Sequence, residues 1–377
     1  MKKQKQPKHS GSIAWNLLIC GPIVQGDVKT KAGDKYIFSK SNFNCCDTIA
    51  QNVRQWGHLF KKIILVTWTD QEEYISHELK SLGIEILLLN DPGRESSFSN
   101  DSRVRVMTAT TGGIEAIGKP YEHVMRIRSD QQFNLNSMIT SHQKAASLIK
   151  KNQENINAKL PHISGLCFWL DRPYSLCNFA HAGSCSDLHF FADAQIRYRH
   201  ASSLKAAGWP EGDTVRKHLL ALAPRLKQHG YTEKQCFPAL PKSIMEGDEA
   251  ASLRNIPKDT LRLWEFSLKH LYSSCSPKAL ETLVWKGEKY PNPKDFHNGM
   301  RFYKDWKRCA NGDPSAIFNY SHSKFSRSNF HLLKDITWVL HGKPEQVQGL
   351  NLSKKSLLKR HIQDFLLTKT NSRKSIS

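Results

Sequence analysis

From Ile63 to Trp68 the chain reads Ile-Ile-Leu-Val-Thr-Trp, apolar but for one threonine. A run this short and this continuous suits a strand covered on both faces, as the strands of a parallel sheet are. Three more segments repeat the pattern. Residues 17–20 are apolar and run into Gly21-Pro22, residues 84–89 stop at Asn90-Asp91-Pro92-Gly93, and residues 121–128 close on Ser129-Asp130. Helical stretches lie between them. Asp47 or Thr48 caps one that carries Ile49, Val53 and Trp56 on a single face and ends at Gly57. Asp70 caps a second, with Ile75, Leu79 and Leu82 at helical spacing and Gly83 as terminator. A third starts near Asp101 and bears Val104, Met107, Thr111, Ile114 and Ile117. Gly112-Gly113 sit inside it and cost about 1 kcal/mol each against alanine, so close packing or a break is expected there.

Strands alternating with helices predict an α/β fold, a mostly parallel Rossmann-like sheet with helices on both faces. Ligands of such sheets bind beyond the carboxyl ends of the strands. That rule puts the 21–26 loop, the 67–70 loop, the 91–93 turn and Asp130 along one edge. After about residue 241 helical periodicity dominates, through Leu261, Trp264, Leu268 and Leu271, then Leu280, Leu283 and Trp285. The expected organisation is a basic tail over 1–12, a catalytic domain over 13–240, a helical C-terminal region over 241–352, and a basic amphipathic helix and tail over 353–377.

A formal net charge of +21 calls for an anionic partner. Nucleic acid is not the expected one. Aromatic and basic residues alternate over 302–307, but no helix–turn–helix, zinc or RNP-type motif accompanies them. No apolar stretch reaches the roughly 18–20 residues of a spanning helix. Lysines precede the apolar run from Ile13 to Val24, yet Asn16 and Pro22 interrupt it, which reads as a tail and a first core strand and not as a signal peptide. The nine cysteines lack metal-type spacing, which predicts reduced thiols in a cytoplasmic protein.

Asp130 is the foremost candidate for chemistry, since a side chain just past a buried strand emerges at the ligand edge. A carboxylate there suits a divalent ion, manganese or magnesium, set against the charge of a departing diphosphate. The alternative is an aspartate that caps the next turn. Gly21-Pro22-Ile23 opens a loop whose two glycines let backbone approach a base or ribose, without the spacing of a dinucleotide fingerprint. Asp91-Pro92-Gly93 is followed by Arg103 at a helix start, a place for a phosphate. Asp187 and His189, two apart on a strand, share a face and can complete the metal site or set a base beside an acceptor hydroxyl. Glu211, in a loop after Gly208-Trp209-Pro210, is a further candidate base.

Read in order, Gly21-Pro22-Ile23, Thr67-Trp68, Asp91-Pro92-Gly93, Asn100-x-x-Arg103, Arg126-Ile127-Arg128-Ser129-Asp130 and Ser186-Asp187-x-His189-Phe190 resemble the WavE lipopolysaccharide-synthesis family of bacterial proteins. The likeness runs from about Leu17 to Glu211. The same region resembles the GT-A glycosyltransferase pattern, in which a glycine turn precedes a helix with an early arginine, and the next strand ends in an aspartate motif. The resemblance implies a GT-A-like transferase that moves sugar from a nucleotide-sugar donor to a growing surface glycan, lipopolysaccharide or capsule. Donor contacts would fall on Gly21, Pro22, Ile23, Thr67, Asp91, Gly93, Arg103, Arg128 and Asp130, metal contacts on Asp130 and His189, and catalysis on Asp187, His189 and Glu211. Many such enzymes have two aspartates where this chain has Arg128-Ser129-Asp130. Arg126 or Arg128 can then take the metal's place against the diphosphate. A non-catalytic scaffold of the same fold is the rival reading.

A glycan or lipid-linked acceptor would place the enzyme at the inner face of the cytoplasmic membrane. Leu357, Leu358, Ile362, Phe365 and Leu366 recur at helical spacing among Lys354, Lys355, Lys359, Arg360 and Lys369. Such a helix suits an anionic membrane surface, or packs its apolar face on the catalytic domain.

Overall fold

Trp15–Cys20 (β1), buried at all six residues, lies inside a seven-stranded sheet. The other strands are Phe60–Trp68 (β2), Glu85–Leu89 (β3), His123–Arg128 (β4), Ile163–Gly165 (β5), Ala180–Ser184 (β6) and Tyr272–Ser274 (β7), and the spatial order is β3-β2-β1-β4-β6-β5-β7. β1 pairs in parallel with β2 and β4, and β2 with β3. β6 runs antiparallel to both β4 and β5, and β7 is parallel to β5. The computed structural model describes residues 14–25, 28–32, 35–40, 43–93, 103–169, 174, 176–198, 210–236, 258–289 and 300–313. The chain divides into two compact units, Met1–Thr30 with Tyr36–Ile317 and Lys31–Lys35 with Phe318–Ser377. The sheet and its helices belong to the first.

The helices are Cys46–Trp56 (α1), His77–Ser81 (α2), Arg103–Ile117 (α3), Leu135–Asn155 (α4), Cys185–Arg197 (α5), Pro210–Leu226 (α6), Lys258–His270 (α7) and Tyr303–Ala310 (α8). Alternate side chains of β1 point to opposite faces. Leu17 and Ile19 share a core with Ile49 and Val53 of α1 and with Leu135 and Met138 of α4. Leu18 meets α3 on the other face, at Gly113. Each such buried aliphatic side chain contributes about 1.5–3 kcal/mol. The Gly112-Gly113 pair proves to be close packing and not a break. A Cβ at Gly112 would come within 2.9 Å of Leu89, and one at Gly113 within 2.9 Å of Val66 and 3.0 Å of Leu18. α3 therefore lies flat on β1, β2 and β3.

Several expectations need correction. The helix expected to start at Asp70 is a 3-10 turn over Thr69–Tyr74, followed by the short α2, whose Ser76 Oγ accepts from Leu79 N. α1 starts earlier than Asp47, where Asn44 Oδ1 accepts from Cys46 N at 2.8 Å. The boundary at residue 240 does not separate a helical addition from the sheet, because β7 forms the sheet's far edge beside β5. A hairpin of Val284–Trp285 and Glu288–Lys289 also pairs with Gln131–Gln132, just after β4. The aromatic–basic stretch at 302–307 opens α8, whose Trp306 is fully buried and donates from Nε1 to the carbonyls of Leu268 (2.8 Å) and Tyr272 (2.7 Å). The aromatic members Phe302 and Trp306 thus belong to the core, while Lys304 and Lys307 are exposed. The expected tail 1–12 and the amphipathic segment 353–377 lie outside the described residues. Among the described residues no helix is long and apolar enough to cross a membrane.

Candidate active site

The strand order reverses between β1 and β4, and in open α/β sheets the crevice at such a point, beyond the strands' carboxyl ends, is where ligands bind. Gly21 leaves β1 at φ +139. Its N donates to Val66 O (3.1 Å), and Ser129 N, leaving β4, donates to Cys20 O (3.1 Å). A Cβ at Gly21 would sit 2.6 Å from Ser129 Oγ, which itself donates to Pro22 O at 2.8 Å. Glycine is needed here for its backbone and for the space it leaves. Pro22 is half-buried at the rim, but Ile23 is fully buried and anchors the loop, accepting from Cys45 N at 2.8 Å. Thr67 is likewise fully buried within β2, below the rim.

Asp130 follows β4 and is 1% exposed. Arg128 grips it with two bonds, Nε to Oδ1 at 2.9 Å and Nη2 to Oδ2 at 2.8 Å. Trp285 Nε1 adds a third, to Oδ2 at 3.1 Å. Burial by itself would raise the Asp130 carboxyl, but the Arg128 guanidinium, with help from Lys286 and Trp285, outweighs it and brings the group down to about 2. Burial and Asp130 act oppositely on Arg128, and the carboxylate prevails, raising the arginine above its ordinary value. The neighbouring Arg126 is not part of this edge. It is fully buried, donates to the carbonyls of Asn178 (2.8 Å) and Phe179 (3.4 Å), touches His181 Nδ1, and is lowered to about 10 mainly by burial.

Six residues not expected there complete the site, among them Trp285, which lies on a hairpin strand and not at the helical spacing expected of it. The 284–289 hairpin lays Trp285 and Lys286 over Asp130, with Lys286 N donating to Asp130 O at 2.8 Å. Asn52 of α1 donates to Gln131 O at 2.7 Å, and Gln132 Nε2 donates to Gln55 at 3.3 Å, which ties α1 to the strand that receives the hairpin. The Trp-Lys-Gly-Glu sequence carried a hairpin signal, a glycine at the second turn position between strand formers.

The 91–93 turn lies on the same edge, after β3. Asp91 accepts from Gly93 N (3.0 Å) and is held by two bonds from Arg105, the Nε bond being 2.7 Å. Gly93 is at φ +78, a conformation that favours glycine. Arg103, expected to meet a phosphate, is the first residue of α3 and is buried.

The acceptor-side expectation is overturned. Asp187 and His189 are not on a strand. β6 ends at Ser184, whose Oγ accepts from Asp187 N at 3.0 Å and starts α5. Because β6 is antiparallel to β4, Ser184 lies opposite His123 at the start of β4. Asp130 lies past the other end of that strand, roughly 20 Å away at about 3.3 Å per residue. Asp187 Oδ2 instead accepts from His162 N at 3.2 Å, and His189 pairs with Glu115 of α3 at 3.3 Å. Ser184-x-x-Asp187 was legible as a helix start. Glu211 falls in the first turn of α6 and not in a loop, and its side chain lies outside the described residues.

The donor set does not fit a divalent ion. Asp130 is already held by three hydrogen bonds, His189 belongs to the opposite end of the sheet, and among the described residues no group of three or more His, Cys, Asp or Glu is placed to hold a metal.

No family model matches the chain, and no curated protein matches it. Solved structures do match, among them the mannose-1-phosphate geranyltransferase from Thermus thermophilus, at 12% identity over 61% of this chain and 69% of that one, with a TM-score of 0.29. So loose a superposition carries no argument about activity, and the fold that stands is the mostly parallel seven-stranded α/β sheet itself.

Proposed function

We propose that the protein is a GT-A-like glycosyltransferase that takes a sugar from a nucleotide-sugar donor and adds it to a growing bacterial surface glycan. The observation that carries this reading is the charge at the β1–β4 switch point, where Arg128 and Lys286 act on one buried carboxylate beside the Gly21 turn. In such a transfer the sugar C1–O bond to the diphosphate breaks and its electron pair goes to the diphosphate oxygen. The acceptor hydroxyl oxygen bonds to C1 and its proton passes to the departing diphosphate or to solvent water. Fixed cations where that charge develops favour the step. The inner membrane face as the place of work is supported by the net charge of +21 and the basic amphipathic pattern at 353–369.

The test is direct. Purified full-length protein incubated with labelled nucleotide-sugars should release nucleoside diphosphate slowly to water, and faster with a lipid-linked glycan acceptor. If no donor is turned over with or without acceptor, the transferase reading fails.

A further inference from the structure

Lys286 stands in a backbone conformation that lysine rarely adopts. It is at φ +54 beside Gly287 at +76, and the two form the turn of the hairpin that lies on Asp130. Two-residue hairpin turns with both central residues left-handed favour asparagine, aspartate or glycine, so a lysine there is strained. Lys286 N, bonded to Asp130 O at 2.8 Å, locks the tip of the hairpin to the end of β4. The ammonium is half-buried, 5.3 Å from the centre of the Trp285 ring, and has no hydrogen-bond or ion-pair partner among the described residues. Burial pulls its pKa below the usual lysine value, against the pull of Asp130 and with the push of Arg128. The Asp130 carboxylate accepts two bonds from Arg128 and one from Trp285, and none from Lys286. One carboxylate thus faces two cations, and the excess positive charge sits at the mouth of the switch point.

An anion relieves this arrangement and a divalent cation worsens it. A metal on Asp130 would displace Arg128 or Trp285 and add charge beside two cations. A diphosphate offers acceptor oxygens both to the Nη1 side of Arg128, which Asp130 leaves open, and to the point charge of a lysine. We propose that Lys286 and Arg128 form a metal-free clamp for the donor's diphosphate, with Asp130 as the positioning residue that holds both cations in place. This rests on the donor reading above and extends it to residue 286.

Calorimetric titration of the full-length protein tests it, with uridine, guanosine and cytidine diphosphates and inorganic pyrophosphate as probes, each in EDTA and in manganese. At least one nucleoside diphosphate, and pyrophosphate, should bind as tightly in EDTA as in manganese. Lys286→Met should weaken both by about tenfold to a hundredfold, the worth of a charge-assisted hydrogen bond. Lys286→Arg should recover most of that, and the phosphate-free nucleoside should bind wild type and Lys286→Met alike. Binding that requires manganese, or Lys286→Met binding like wild type, overturns the clamp. Lys286-dependent binding of pyrophosphate with no gain from any nucleoside leaves the clamp standing and removes the nucleotide-sugar reading. Binding of none of the probes removes both.

Discussion

Two aspartates sit at opposite ends of the β4–β6 pair, and the fold treats them in opposite ways. Asp130, past the end of β4, is buried, yet Arg128, Lys286 and Trp285 outweigh the burial and bring it down to about 2. Asp187, just past the end of β6, is half-buried, and burial raises it, opposed weakly by the backbone N–H of His162 and by Ser184. The cations that act on Asp187, Lys159 and Arg225, do not outweigh its burial, and the groups packed beneath it are neutral histidines and serines. His142 and His162 stack at 4.6 Å, and His142 bonds Ser164 (2.8 Å) while His162 bonds Ser273 (2.8 Å). One end of the sheet therefore holds a fully buried carboxylate gripped by an arginine, whereas the other buries neutral histidines and keeps its ion pair, Glu122 with Lys61 and Lys119, at the rim. An aspartate's residue type thus says less about its electrostatic state than the charges packed around it.

The largest expected effect follows from breaking the charged end. Arg128→Met leaves a buried carboxylate short of its main partner, and should cost about 3–5 kcal/mol in urea denaturation, as breaking buried pairs does. Adding Asp130→Asn to that variant should recover most of the loss, since the uncompensated charge is gone. A cost below about 1 kcal/mol would mean that the pair behaves like an exposed one, and the contrast between the two ends would collapse.

Acid separates the ends next. Burial lowers His142 well below its ordinary value and His162 to about 3, and it lowers His123 as well. Below about pH 6.5 the unfolded chain takes up protons that these folded histidines refuse. Stability that is complete above that pH should fall by about 1.4 kcal/mol per pH unit for each strongly depressed histidine. His181 of β6 and His218 of α6, also fully buried, add to the total. Asp130 responds later: its contribution is complete above an unfolded value of about 3.9 and is lost as pH falls toward 2. Urea melts of wild type and of His142→Gln with His162→Gln at pH 7, 6 and 5 test this. The double variant should be weaker at pH 7 and show the flatter slope, and equal slopes would remove the histidine end from the account.

What could be read in advance follows the range of the interactions. β1, β2, β3 and β4 were legible because a strand buried on both faces writes a continuous apolar run into adjacent residues. Asp130 was legible because it ends such a run. The β6–α5 junction was not, because over the few residues from Ala182 to His189 a two-residue and a 3.6-residue period predict similar spacings. The Ser184 cap was the better guide. Trp285 and Lys286 were hidden for a different reason. Trp285 reaches Asp130 across 155 residues of chain, and no local pattern records a partner that distant.

The smallest expected effect decides most about the acceptor side. Asp187→Asn keeps an oxygen that can accept from His162 N and removes only the charge. Because burial raises the folded pKa of Asp187, this carboxyl favours the fold while protonated, and that benefit fades as pH rises through the folded value. Near neutrality the charge is a cost to the fold, offset in part by the start of α5, where a negative group gains about 0.3–1 kcal/mol from the helix dipole. The substitution should therefore leave stability within about 0.5 kcal/mol of wild type. Asp187→Ala, which takes the acceptor away as well, should lose about 1 kcal/mol. Diphosphate affinity and transfer rate should be unchanged in both, since Asp187 lies at the far end of β4 from Asp130. A folded Asp187→Asn protein that binds diphosphate yet transfers no sugar would return this end of the sheet to the chemistry. Asp187 would then act as a base, and the assignment of donor chemistry to the Asp130 end alone would be wrong.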